Sequence, residues 1–141
     1  MVQQSRWAIW TAMAVSLLVY LSIPLFMPAP PMTYETTDFG VLFTVLGVVA
    51  VLTSVASLLL RRAIVIQPLQ NGTLDPESEA GAQRLTQGFV LTWALSEAVA
   101  VYGLVLYLLT RQVQLMVPFI MMSACLLMFH APRHLEVSAR R

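Results

Sequence analysis

Charge is scarce in this 141-residue chain. Only 11% of its residues are charged, against about 25% in soluble domains. With 58% hydrophobic residues, the shortage points to a lipid environment rather than to a large water-soluble core. Lysine is absent: the eight basic residues are all arginine, facing seven acids. A formal net charge of +1 gives no basic footprint for nucleic acid. The one cysteine, Cys125, excludes an internal disulfide and a cysteine-based metal cluster. Set in an apolar run, it reads as a small buried group. No phosphate-binding loop, dinucleotide fingerprint, thiol pair or membrane-protease motif occurs. The sequence therefore licenses no reaction, no catalytic residue and no metal site. His130 and His134 have a helical spacing, but Pro132 lies between them and breaks the geometry a shared ligand pair needs.

What the chain has in quantity is long apolar runs. A spanning helix needs about 20 mainly apolar residues. Four segments fit, at approximately 7–27, 39–60, 88–109 and 113–129, in a single membrane domain covering 1–141. The first run exceeds a signal-peptide core and ends in no compact cleavage site, so it reads as a retained helix. Ser5 is placed to cap it, Trp7, Trp10 and Tyr20 suit the interfaces, and Pro28, Pro30 and Pro31 stop it. Asp38 is placed to cap the second helix, and Arg61 and Arg62 end it. A polar loop over 61–86 follows. Within it Asp75-Pro76-Glu77 reads as a helix start, with a cap and then proline at the first position. Thr110-Arg111-Gln112 is a tight connection, and the last span is short. The fold class is all-α, an integral membrane four-transmembrane-helix bundle.

Glu97 lies at the centre of the third span and is its one acid. An ionised carboxylate at mid-bilayer costs roughly 3 kcal/mol on insertion scales, so it must be protonated, partnered or beside water. Gly88, Thr92, Ser96, Ala100 and Gly103 recur every three or four residues and form a small-residue stripe. Such stripes let helix backbones approach closely in lipid. Glu97 is the candidate proton- or ion-binding residue. Thr92, Ser96, Ala100, Tyr102 and Gly103 are its candidate supporting or helix-packing neighbours.

Basic residues set the expected orientation. With both termini cytoplasmic, seven arginines lie inside and only Arg111 outside, as the positive-inside rule prefers. Arg61, Arg62, Arg133, Arg140 and Arg141 are then placed to meet lipid headgroups. The expected location is the cell membrane, multi-pass, of the bacterial inner-membrane type.

The stretch Ala94–Leu109, ALSEAVAVYGLVLYLL, resembles the acidic helix of the rotary ATPase proteolipids, the c subunits of ATP synthases and their vacuolar-type relatives. Glu97-Ala98 and Val101-Tyr102-Gly103 carry the likeness. Arg61, Gln67 and Pro68 loosely match the family's polar loop, and Gln83-Arg84-Leu85 its entry into the acidic helix. The resemblance implies that Glu97 binds a proton or Na+, released with help from an arginine on another protein. It covers Arg61 to Leu109 only. The dense glycine repeat of the family's first helix is missing, and two flanking helices have no counterpart in the two-helix subunit.

Two functions follow as expectations. The first is a structural or assembly subunit of a membrane complex, with membrane lipid and either further copies of itself or other subunits as partners. The alternative is a proton- or sodium-handling, proteolipid-like subunit that uses Glu97. No cofactor other than a proton or Na+ is implied.

Overall fold

The computed structural model describes residues 2–27 and 39–131. Those residues are helical with short connections. Helix α1 spans Val2–Phe26 and α2 Phe39–Leu60; a π-helical segment, Arg61–Ile66, leads into a short α3, Gln67–Gln70. Helix α4 runs Glu79–Thr110 and α5 Val113–Phe129. Three of these stretches, within Arg6–Phe26, Gly40–Gln70 and Glu79–Thr110, are long and apolar enough to cross a membrane, and α5 is a shorter apolar helix. This is a helical membrane protein.

Several local expectations change. Helix α1 already includes Ser5, which therefore does not cap it. The cap proposed at Asp38 and the proline run before it lie outside the described residues. The loop expected over 61–86 is mostly helix. The π segment keeps the chain winding past Arg61 and Arg62, closing with the Gln67 N–H on Arg62 O. Asp75 and Pro76 form a turn and not a helix start. The Asp75 carboxylate accepts from Glu77 N (2.9 Å), and Ser78 is the true cap, its hydroxyl accepting from Gly81 N at 3.1 Å. A serine satisfies the orphan amide of the first turn, so α4 begins at Glu79.

Helix α4 is the centre of the molecule. In its most apolar window 44% of residues are buried inside the protein, against 6% in α1 and 11% in α2. Helices α4 and α5 form an antiparallel hairpin. Its turn is closed by Arg111 in the left-handed conformation (φ 57°), whose N–H bonds Tyr107 O, and by Thr110, whose hydroxyl accepts from Gln112 N. Helix α1 lies along the hairpin parallel to α4: Arg6 meets Ala82 and Thr86, Tyr20 meets Glu97, and Tyr107 meets Met27. Helix α2 lies antiparallel to α4, with Thr53 near Tyr102 and Ser57 on Thr92. Among the described residues no Cα of α1 comes within 8 Å of one in α2. The hairpin separates them.

Two cores result. One joins α1 to the hairpin through Leu17, Phe89, Trp93, Met116, Ile120 and Leu127. The other joins α2 to it through Ala50, Val99, Leu106, Phe119 and Leu126. Lipid tails solvate apolar side chains as well as these cores do, so close packing and hydrogen bonds between helices hold such a bundle together. Cys125, expected to be buried, is exposed on the outward face of α5, because the α5 core stripe runs through Phe119, Ser123 and Leu126–Leu127.

Candidate functional site

Neighbouring helices come close to α4 along its small-residue stripe. A Cβ added at Gly103 would lie 2.7 Å from Phe119 Cβ and 2.9 Å from Met116 O of α5. At Gly88 it would lie 3.0 Å from Val65 and 3.1 Å from Ile64 of the π segment. Thr92, Ser96 and Ala100, between these glycines, are buried. The Thr92 carbonyl accepts from Ser57 Oγ of α2 (3.1 Å) and from Ser96 Oγ (2.8 Å).

Glu97 faces a different way. Its Oε1 accepts a hydrogen bond of 2.8 Å from the Tyr20 hydroxyl of α1. Both side chains are half-buried. Of the residues expected to support Glu97, none is its hydrogen-bond partner. Thr92 Oγ1 donates to Phe89 O, Ser96 joins His130, the Tyr102 hydroxyl lies 3.4 Å from Thr53 of α2, and Ala100 and Gly103 serve helix packing. The reason is geometric. Residues 92, 96, 100 and 103 share the face of α4 that meets α2 and α5, and position 97 is rotated off it. The groups lie in one helix without converging on one point.

The sequence pattern does not mark Tyr20 as the partner of Glu97. Tyr20 reads as an interfacial aromatic. Alternating spans make the first and third helices parallel, but nothing in the pattern says that those two helices pack together.

A second polar cluster lies where α5 ends against α4 and the π segment. His130, just beyond α5, is fully buried. Its carbonyl accepts from Trp93 Nε1 at 3.0 Å, and its Nδ1 lies 3.1 Å from Ser96 Oγ. The single Ser96 proton is used on Thr92 O, so Nδ1–H is the donor to Ser96 and Nε2 carries the free lone pair. Arg61 is only 5% exposed. Its Nη1 donates to Phe129 O, and its guanidinium lies 5.2 Å from the centre of the Phe129 ring. Arg61 therefore turns inward to cap the Phe129 carbonyl at the end of α5, which corrects its expected place among lipid headgroups. The π-helical continuation of α2 holds it there. Arg62 is exposed, whereas Arg133, Arg140 and Arg141, like His134, lie outside the described residues. Arg61 Nε, Ser123 Oγ and His130 Nε2 are buried without a hydrogen-bond partner among the described residues. No group of three or more His, Cys, Asp and Glu among the described residues is arranged to hold a metal.

Burial, and then the nearby Arg61 charge, pull the His130 pKa down from 6.5 to about 4. The fold thus favours neutral imidazole. The stability this contributes is fully present above the unfolded value of 6.5 and is lost as pH falls toward 4. Thermal unfolding in detergent is expected to show a Tm that is level above pH 6.5 and drops between 6.5 and 4. His130→Gln is expected to flatten that part of the profile.

Comparison with protein-family models, characterised proteins and solved structures finds no match for this chain.

Proposed function

We propose that this chain is a structural or assembly subunit of a membrane complex, crossing the bilayer four times with both termini on the cytoplasmic side. One observation carries the reading. The membrane-embedded acid serves a contact between helices, with Glu97 accepting from Tyr20 across the α1–α4 interface, while the polar groups that would complete an ion cage are bonded elsewhere. Three other polar side chains do similar work. Trp10 Nε1 donates to Leu127 O, Tyr107 to Met27 O, and Ser57 to Thr92 O. Each joins two parts of the chain through a group that lipid cannot satisfy. Large apolar faces are left outward on α1 (Leu18, Val19, Leu25) and on α2 (Val41, Val45, Leu52), the surfaces that lipid or a partner subunit would cover. The orientation is supported by the arginines: Arg6 meets the first turns of α4 and Arg111 stands at its far end.

The second reading, a proton- or sodium-handling subunit of proteolipid type, has one observation in its favour. Glu97 keeps part of its surface open and has a hydroxyl at hydrogen-bond distance, so its carboxyl can exchange a proton or a small cation. The two readings part in reconstituted vesicles carrying a pH or sodium gradient. The structural reading predicts no flux that depends on Glu97, and no sodium response of the Glu97 carboxyl band in difference infrared spectra against Glu97→Gln. Flux lost in Glu97→Gln, with a carboxyl band that shifts with sodium, would replace it with the second reading.

A further inference from the structure

Helix α4 passes from polar to apolar character over two turns, Gln83 to Leu91. On each side of those turns lies an open depression. One, of about 520 Å³, is walled by Ile64 and Pro68, by Thr73 and Leu74 of the following loop, and by Arg84, Gln87 and Leu91 of α4. The other, of about 450 Å³, is lined along α4 by Gln83, Thr86, Val90 and Ala94, and shares Gln87 and Leu91 with the first. The ridge between them is thus two residues, one polar and one apolar, set one turn apart along the helix.

The chemistry of this surface is graded along the same direction. At the loop end are Arg84, Gln87 and Thr73; toward the apolar run are Ile64, Leu91 and Ala94. Ile64 and Leu91 are large hydrophobic groups that remain exposed. Arg84 is exposed and makes no hydrogen bond or ion pair with any described residue. Its neighbour in register, Arg6 of α1, is occupied by Ala82 O and Thr86 Oγ1. Among the described residues no carboxylate lines either depression.

We infer that this surface is a binding site for one anionic phospholipid, with the phosphate on Arg84 and Gln87 and the two acyl chains divided by Leu91. An arginine attracts an anionic headgroup by about 1 kcal/mol near the membrane surface, and its forked donors match phosphate oxygens. Gln87 adds a neutral amide donor. The site's depth suits a lipid: the cation stands where α4 leaves the apolar run, and the two depressions continue into it. A soluble anion would use Arg84 but would leave Ile64, Leu91 and Ala94 uncovered. The inference rests on the chain being a membrane protein. It does not depend on whether Glu97 is structural or exchanges an ion.

The test is native mass spectrometry of the detergent-purified full chain, titrated with phosphatidylglycerol or phosphatidylcholine, with thermal unfolding in parallel. One phosphatidylglycerol is expected to be retained in preference to phosphatidylcholine and to raise Tm. Arg84→Gln, a change at an exposed position, is expected to keep the helicity of the parent and to weaken that preference about fivefold, the equivalent of about 1 kcal/mol. Leu91→Ser is expected to lower retention of both lipids, and Arg111→Gln, at the opposite end, to change neither. Equal retention of the two lipids, or an unchanged preference in Arg84→Gln, would overturn the site. If inorganic phosphate protects as well as phosphatidylglycerol does, the surface is a soluble-anion site and the lipid assignment fails.

Discussion

Gly103→Leu is expected to abolish the packed bundle. Even the single carbon of Gly103→Ala meets Phe119 Cβ at 2.7 Å and Met116 O at 2.9 Å. The second of these is backbone and the first is fixed to it, so neither can swing aside as the end of a long side chain would. Relief requires α4 and α5 to move apart, which breaks a close contact of the hairpin. Overpacking of this kind costs about 1–3 kcal/mol, and Gly103→Ala should lie in the upper half of that range. The larger side chain would exceed what the hairpin can absorb. Gly47 is the internal control: a Cβ there meets nothing within 4 Å, so Gly47→Ala should leave Tm unchanged or slightly raised through better helix propensity. Thermal unfolding in detergent, followed by far-ultraviolet circular dichroism, compares the three variants directly. The effect also bears on function, because Gly103 fixes how α5 lies on α4 and so where α5 delivers His130.

The second large effect is expected at Trp93. Its side chain is fully buried, stacked on Phe89 with ring centres 5.4 Å apart, and its Nε1 donates to His130 O. Removing a buried tryptophan typically costs about 3–5 kcal/mol in water-soluble proteins. Lipid solvates apolar groups, so the transfer part of that cost is smaller here, while the cavity and the lost hydrogen bond remain. Trp93→Ala is therefore expected near the lower end, about 3 kcal/mol. Trp93→Phe keeps a ring against Phe89 and forfeits mainly the bond to His130 O, for about 1 kcal/mol. If the two variants unfold alike, the stacked ring contributes little and the hydrogen bond carries the site. Loss of Trp93 also opens the pocket that keeps water from His130, so the fall in Tm below pH 6.5 should be smaller in Trp93→Ala than in the parent.

The sequence made some of this legible and left some of it hidden, for physical reasons. Apolar run length marked the bounds of α2 and α5 well, because each helix ends where its apolar run does. The stripe from Gly88 to Gly103 was legible from spacing alone, since small residues on one helix face are what close backbone approach requires. The start of α4 is ambiguous in the sequence. Asp75-Pro76 and Ser78 are both acceptable helix entrances by composition, and the choice fell to a turn that spends the Asp75 carboxylate on Glu77 N. The π segment was not legible: Arg61-Arg62 reads as the end of a span, yet continued winding places Arg61 inside, over Phe129. Most of all, the partner of Glu97 depends on which helices pack together, and a hydrophobic pattern does not carry that information. Tyr20 and Glu97 lie far apart in sequence, and they meet because α1 lies along α4.

The contact between those two residues is the centre of the account, and a double-mutant cycle on it is the most direct test. The stabilities of the parent, Tyr20→Phe, Glu97→Ala and the double variant would be measured in the same lipid or detergent. If Glu97 ties α1 to α4, the coupling energy is favourable and lies between about 0.6 and 1.7 kcal/mol, the average and upper values for hydrogen bonds between membrane helices. Tyr20→Phe then costs little once Glu97 is gone. A coupling of zero, with each single variant acting independently of the other, would contradict the clamp and leave Glu97 free for another use.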